Sequence, residues 1–143
     1  MMNRRGILPL LVGLLFCVLT PAQAAGEAQA IEQAKAAARA WLAVADREDY
    51  IRTWQQAASV LRRSTSQYDW VTLAVDLRSP LGALKQRELQ GASYATQLPG
   101  LPDGEYVILQ YRSDFEHRDG ATETVTPMRD SDGRWRVVSY FVD

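Results

Sequence analysis

The amino-acid sequence predicts an α+β fold in which three N-terminal helices pack on a four-stranded antiparallel meander. Apolar residues recur at three-, four- and seven-residue steps through the first half, then alternate with a period of two. Pro99-Gly100, Asp119-Gly120 and Asp132-Gly133 punctuate the second half, so each strand is expected to pair with its sequence neighbour.

The chain opens on Arg4-Arg5, an apolar stretch Ile7–Leu19 and then Thr20-Pro21-Ala22-Gln23-Ala24, the order of a secretory signal. Residues 1–24 are read as that signal, cleaved after Ala24, and residues 25–143 as a single α+β domain. The apolar stretch falls short of the roughly twenty residues a spanning helix needs, so no stable membrane span is expected after cleavage. Phe16 precedes Cys17 where a lipid-attachment motif requires a small residue, which argues against a lipoprotein. The expected location is periplasmic or secreted, through a bacterial Sec-type route.

From Glu27 to Ala45, Ile31, Ala34, Ala38, Trp41, Leu42 and Ala45 share one helical face. Asp46, three residues before Asp49 with Glu48 between them, reads as the N-cap of a second helix with an acidic first turn, carried by Tyr50, Ile51, Trp54, Ala58 and Leu61 after a sharp turn near Asp46. Ser66 with Asp69 repeats the start signal. Trp70, Leu73, Ala74 and Leu77 then form the apolar face of a third helix, stopped by Ser79-Pro80 and Gly82. Leu84–Gln97 reads as a strand bulged at Gly91. The segment Pro99–Gly104 denies both helix and ladder, and after it Val107, Leu109, Tyr111 and Phe115 form a mostly apolar face that alternates with the mixed face of Tyr106, Ile108, Gln110, Arg112 and Asp114. The last two strands are placed at Thr122–Met128 and Arg134–Val142, joined by the Asp132-Gly133 turn and preceded by the Asp119-Gly120 turn. A twisted sheet curled round a long helix makes a cone with a cavity between the layers.

The formal charge is −1 with both signs scattered, which excludes the basic stripe of a nucleic-acid binder. Cys17 is the single cysteine and leaves with the signal, removing disulfides, thiolate nucleophiles and cysteine metal sites. His117 is the single histidine, beside Asp119-Gly120, and reads as a wet loop residue rather than a base. One histidine without cysteine or an aspartate-rich loop leaves no metal site, and no cofactor is expected. Serine and threonine occur in no strand-turn-helix elbow, so no catalytic residue is assigned. Glu88, Glu105 and Glu123 lie on or beside predicted strands, where solvent-facing glutamates are the commoner case.

The residues proposed to line a ligand site are Trp70, Arg78, Arg87, Tyr106 and Tyr111. An inward arginine binds an anionic group bidentately, although helix capping or exposure explains Arg78 and Arg87 equally well. The leading reading is a non-catalytic module for a small molecule or an envelope protein. The alternatives are a small acid-base hydrolase or isomerase working in the cavity, and an assembly protein whose sheet pairs with a copy of itself.

Trp41-Leu42, Asp49-Tyr50, Trp54, Trp70, Arg78-Ser-Pro80-Leu81-Gly82, Arg87, Pro99-Gly100-Leu-Pro102-Asp103-Gly104-Glu105-Tyr106, Glu123-Thr124-Val125 and Asp132-Gly133-Arg-Trp135-Arg136-Val137 resemble the bacterial exported family catalogued as domain of unknown function 4019. The Arg-x-Pro-Leu-Gly and Pro-Gly-x-Pro-Asp-Gly-Glu-Tyr segments are its most specific marks, and Ser139 stands where the family usually has glycine. The resemblance implies an exported α+β domain akin to cone-shaped nuclear-transport-factor-like folds, and it supplies no catalytic residues.

Overall fold

A computed structural model of the chain describes residues 17–143. Arg4, Arg5 and most of the apolar stretch behind the export reading lie outside the described residues. Four α-helices precede the sheet rather than three: α1 Pro21–Ala45, α2 Tyr50–Gln55, α3 Ser59–Ser64 and α4 Gln67–Arg78, followed by a 3-10 turn at Ser79–Leu81. The strands β1 Leu84–Ala95, β2 Tyr106–Phe115, β3 Arg118–Arg129 and β4 Trp135–Val142 form one open antiparallel sheet in sequence order.

Helix α1 begins at Pro21, six residues before the expected Glu27, because Thr20 and Gln23 form a capping box. The Thr20 hydroxyl accepts from Gln23 N–H at 3.3 Å and the Gln23 side-chain Oε1 accepts from Thr20 N–H at 3.0 Å. The expected cleavage point after Ala24 therefore falls inside α1. The predicted second helix is two helices. Ala58 is extended, and its N–H donates to the Val137 carbonyl of β4 at 2.8 Å instead of continuing the helical ladder. Ala57 and Ala58 are fully buried there, small enough to bring the backbone onto the sheet.

Asp49, not Asp46, caps α2, accepting from Arg52 N–H at 3.1 Å. Ser66 caps α4 as expected. Ile51 and Leu73 were expected on apolar faces, yet both are exposed, because α2 and α4 contact the core along Tyr50, Thr53, Trp70 and Ala74. The β2–β3 turn lies at Glu116-His117 rather than Asp119-Gly120. Gly120 is instead inside β3, at φ 68° in a bulge between the pairs Ser113↔Ala121 and Phe115↔Arg118, with its N–H on Asp114 Oδ1. The β1 bulge falls at Gln90, beside the expected Gly91, which pairs with Gln110, and the turn at Gly133, φ 80°, falls where the sequence places it.

Helix α1 lies against all four strands. Ala34, Ala38, Trp41 and Leu42 of α1 meet Trp70 and Ala74 of α4 and Val107, Leu109, Val125 and Val137 of the sheet. Trp41 sits edge-on to Trp70 at 6.1 Å and 5.3 Å from the Tyr140 ring. Thr53 satisfies both indoles: its carbonyl accepts from Trp41 Nε1 and its hydroxyl from Trp70 Nε1, each at 3.0 Å. Trp135 is only half-buried and donates to Gln33. Among the described residues, no helix is long and apolar enough to cross a membrane.

Candidate functional site

Strand alternation turns Val107, Leu109, Tyr111, Ser113 and Phe115 of β2 toward the helices, and Ala121, Glu123 and Val125 of β3 with them. Glu123 thus enters the interior in a row of apolar neighbours, opposite Tyr111, and is fully buried. Arg87 comes from the adjoining position of β1, paired in register with Ser113. Arg78 ends α4 and is 5 % exposed, while Asp46 terminates α1 as its C-cap. Tyr140 of β4 completes the cluster. The expectation of a solvent-facing glutamate holds for Glu88 and fails for Glu123, because β3 parity puts residue 123 on the face of Val125.

The groups close on one another. Arg87 grips Asp46 with two N–H groups, Nη1 to Oδ2 at 2.7 Å and Nη2 to Oδ1 at 2.9 Å, and donates Nε to Glu123 Oε1 at 2.6 Å. Arg78 donates Nη2 to Asp46 at 2.9 Å and Nη1 to the Tyr140 hydroxyl at 2.9 Å, with Glu123 at 3.5 Å. Ser113 and Tyr140 donate their hydroxyls to the two oxygens of Glu123. The Arg78 guanidinium also stands 5.1 Å over the Phe115 ring. Two cations face two carboxylates, and among the described residues no buried polar side-chain atom lacks a partner. Such satisfaction is what makes buried charge tolerable.

The electrostatics follow from this pairing. Burial raises the Asp46 carboxyl, but hydrogen bonds from Arg87 and Arg78 and then their charges outweigh it and hold the group below the ordinary carboxylate range. Burial lowers both arginines, yet the carboxylates, joined at Arg78 by the Tyr140 oxygen, raise them above the ordinary value. Burial, followed by the Glu123 charge, pushes the Tyr140 hydroxyl well up.

Two clefts flank the cluster. One of 370 Å³ is bordered by Asp46, Tyr50, Arg78, Gly82 and Glu116. The other, of 240 Å³, is bordered by Lys35, Arg39 and Leu42 of α1, Arg87 and Leu89 of β1, and Tyr111 of β2. Of the five residues singled out from sequence, Arg87 and Tyr111 share this second cleft and Arg78 stands on the first. Trp70 is a core residue, and Tyr106 belongs to a separate buried group with Ala58, Met128 and Val138, its hydroxyl on the Pro102 carbonyl. Asp46, Ser113, Glu123 and Tyr140, together with Lys35 and Arg39 of the second cleft, were not foreseen. Strand parity was the available signal for Glu123.

These features define an α+β domain whose helical layer is clamped to one face of an open meander by a charge-balanced buried cluster. A family model for a protein of unknown function, DUF4019, matches residues 37–140, and the chain belongs to that family. No curated protein matches the chain, and no solved structure does.

Proposed function

We propose that this protein is an exported, non-catalytic module that binds a small molecule or an envelope protein at the clefts between its helices and sheet. What carries the reading is the direction in which the clustered groups are shifted. Asp46 is held ionised, Arg78 and Arg87 protonated, and Tyr140 neutral. General acid-base work needs a group that exchanges its proton near the working pH, and each of these is moved away from it. A hydrolase or isomerase needs perturbed ionisable groups in a concave site that exchange protons near the working pH; Asp46 and Arg78 border such a cleft, but Asp46 is lowered and Arg78 raised, which favours the charged form of each. Export rests on the order of segments in residues 1–24.

Thermal-shift screening of the purified protein against envelope metabolites, with pull-down from envelope extract, is expected to give a saturable ligand or a specific partner. Silence in both removes the binding reading. Mass spectrometry of the protein recovered from the cell envelope is expected to show a chain beginning at Ala25, and one still beginning at Met1 overturns export.

A further inference from the structure

We infer that the cleft between α1 and the β1–β2 pair is a receptor for a small organic monoanion, a carboxylate carried on a short apolar body; the inference rests on the binding-module reading and assigns its site. Three cations, Lys35, Arg39 and Arg87, border this cleft and no carboxylate does. Leu42 and Leu89 supply apolar wall beside them.

Tyr111 is the second, independent mark of a ligand. The residue is 8 % exposed, yet its hydroxyl makes no hydrogen bond with the described residues. Because no buried polar side-chain atom lacks a partner, that hydroxyl opens on the cleft it borders. Burial raises its pKa, the Arg87 and then the Arg39 charges lower it, and the buried Glu123 carboxylate, itself paired with Arg87 Nε, raises it again, so both guanidinium charges reach the oxygen against that one opposing charge. The hydroxyl stays protonated and able to donate. An unclaimed donor flanked by guanidinium groups suits a carboxylate oxygen.

Charge selects the valence. Arg78 and Arg87 are balanced by Asp46 and Glu123, and Lys35 is held by Glu32 at 2.8 Å. Arg39 is exposed and pairs with no carboxylate among the described residues, which leaves one surplus positive charge at the rim. Arg87 commits three N–H groups to the cluster, and a guanidinium has further N–H groups to offer. A cleft of 240 Å³ lies below the range of about 300–1,000 Å³ that accommodates drug-sized ligands, so the body behind the carboxylate is short.

The test titrates the purified, isotope-labelled protein with sodium hexanoate, hexanamide, hexylamine and inorganic phosphate, reading amide resonances. Hexanoate is expected to bind saturably and to move the resonances of Arg39, Leu42, Leu89 and Tyr111. Hexanamide and hexylamine are expected to bind at least about tenfold more weakly. Arg39→Gln is expected to weaken hexanoate about tenfold and Tyr111→Phe several-fold, with urea midpoints unchanged, while Arg63→Gln on the exposed end of α3 changes nothing. Equal binding of hexanamide, an Arg39→Gln variant with unaltered affinity, or tighter binding of phosphate overturns the monocarboxylate assignment. Saturable shifts confined to other surfaces overturn this site but leave the binding module standing. Absence of binding by hexanoate overturns the inference, and only the wider screen then bears on the module.

Discussion

Removing the Glu123 carboxylate leaves Arg78 and Arg87 with Asp46 as their one remaining counter-ion, at a position where Arg78 and the lost carboxyl are both buried. Breaking a buried pair in this way costs about 3–5 kcal/mol, because the stranded charge retains its desolvation penalty. Urea unfolding of Glu123→Ala is expected to show a loss of that size. Tyr140→Phe removes a hydroxyl that both accepts from Arg78 and donates to Glu123, yet these two stand 3.5 Å apart and continue to pair. Its cost is expected near 1 kcal/mol, about that of a typical hydrogen bond. The double variant is expected to lose less than the sum, since the two groups share partners. A Glu123→Ala variant as stable as the parent would mean that the cluster does not hold the layers together.

At the scale of elements, two glycines with positive φ differ in how strained their backbone is and in how crowded a Cβ there would be. Gly120 sits in the β3 bulge at φ 68°, and a Cβ there meets Arg112 Nη2 at 3.7 Å, an ordinary contact. Gly120→Ala is expected to cost about 1–2 kcal/mol, the price of the left-handed region for a residue with a Cβ. Gly82 follows the 3-10 turn at φ 74° and ψ −161°, a region open essentially to glycine alone, and its Cβ would lie 2.9 Å from Glu116 Cβ and His117. Gly82→Ala is therefore expected to cost distinctly more, read as a larger fall in melting temperature, and equal costs would refute the crowding argument. The same local view explains what the sequence disclosed. The periods of α1 and α4 were legible because each buries one stripe on a single layer. The break between α2 and α3 was not, since it depends on a hydrogen bond from Ala58 to Val137 in the last strand. The β2–β3 turn was misplaced for a related reason: Asp-Gly marks positive φ, which a bulge requires as much as a hairpin does. Arg87 and Tyr111 could be singled out by residue type, whereas their neighbours Lys35 and Arg39 looked like the ordinary solvated side of a helix.

For the molecule as a whole, the shifted groups set a window of stability against pH. Asp46 has a folded pKa below that of the unfolded chain, about 3.9, so its contribution is complete above that value and is lost as pH falls through the folded one. Asp130, which joins α3 to the β3–β4 hairpin through Ser59, is also lowered; burial raises it, but hydrogen bonds from Ser59 and Ser131 outweigh that, and it acts in the same acid range. Tyr140 works in the opposite sense. Its folded pKa lies above the unfolded value of about 10, so its contribution is complete below pH 10 and is lost as pH rises beyond it toward the folded value. Between about pH 5 and pH 9 none of the three changes its proton occupancy in either state. The urea midpoint is therefore expected to be flat with respect to these groups across that interval, to fall below pH 4, and to fall again above pH 10. Replacing Tyr140 by Phe should remove that residue's share of the alkaline fall and leave the acid limb in place, and replacing Asp46 by Asn should shrink the acid limb. Because the cluster is buried and internally neutral, about 0.5 M salt should move these limbs little, whereas exposed pairs such as Lys85–Asp119 are screened. An alkaline limb that is the same in the parent and in Tyr140→Phe would place the loss elsewhere and take Tyr140 out of the account of stability.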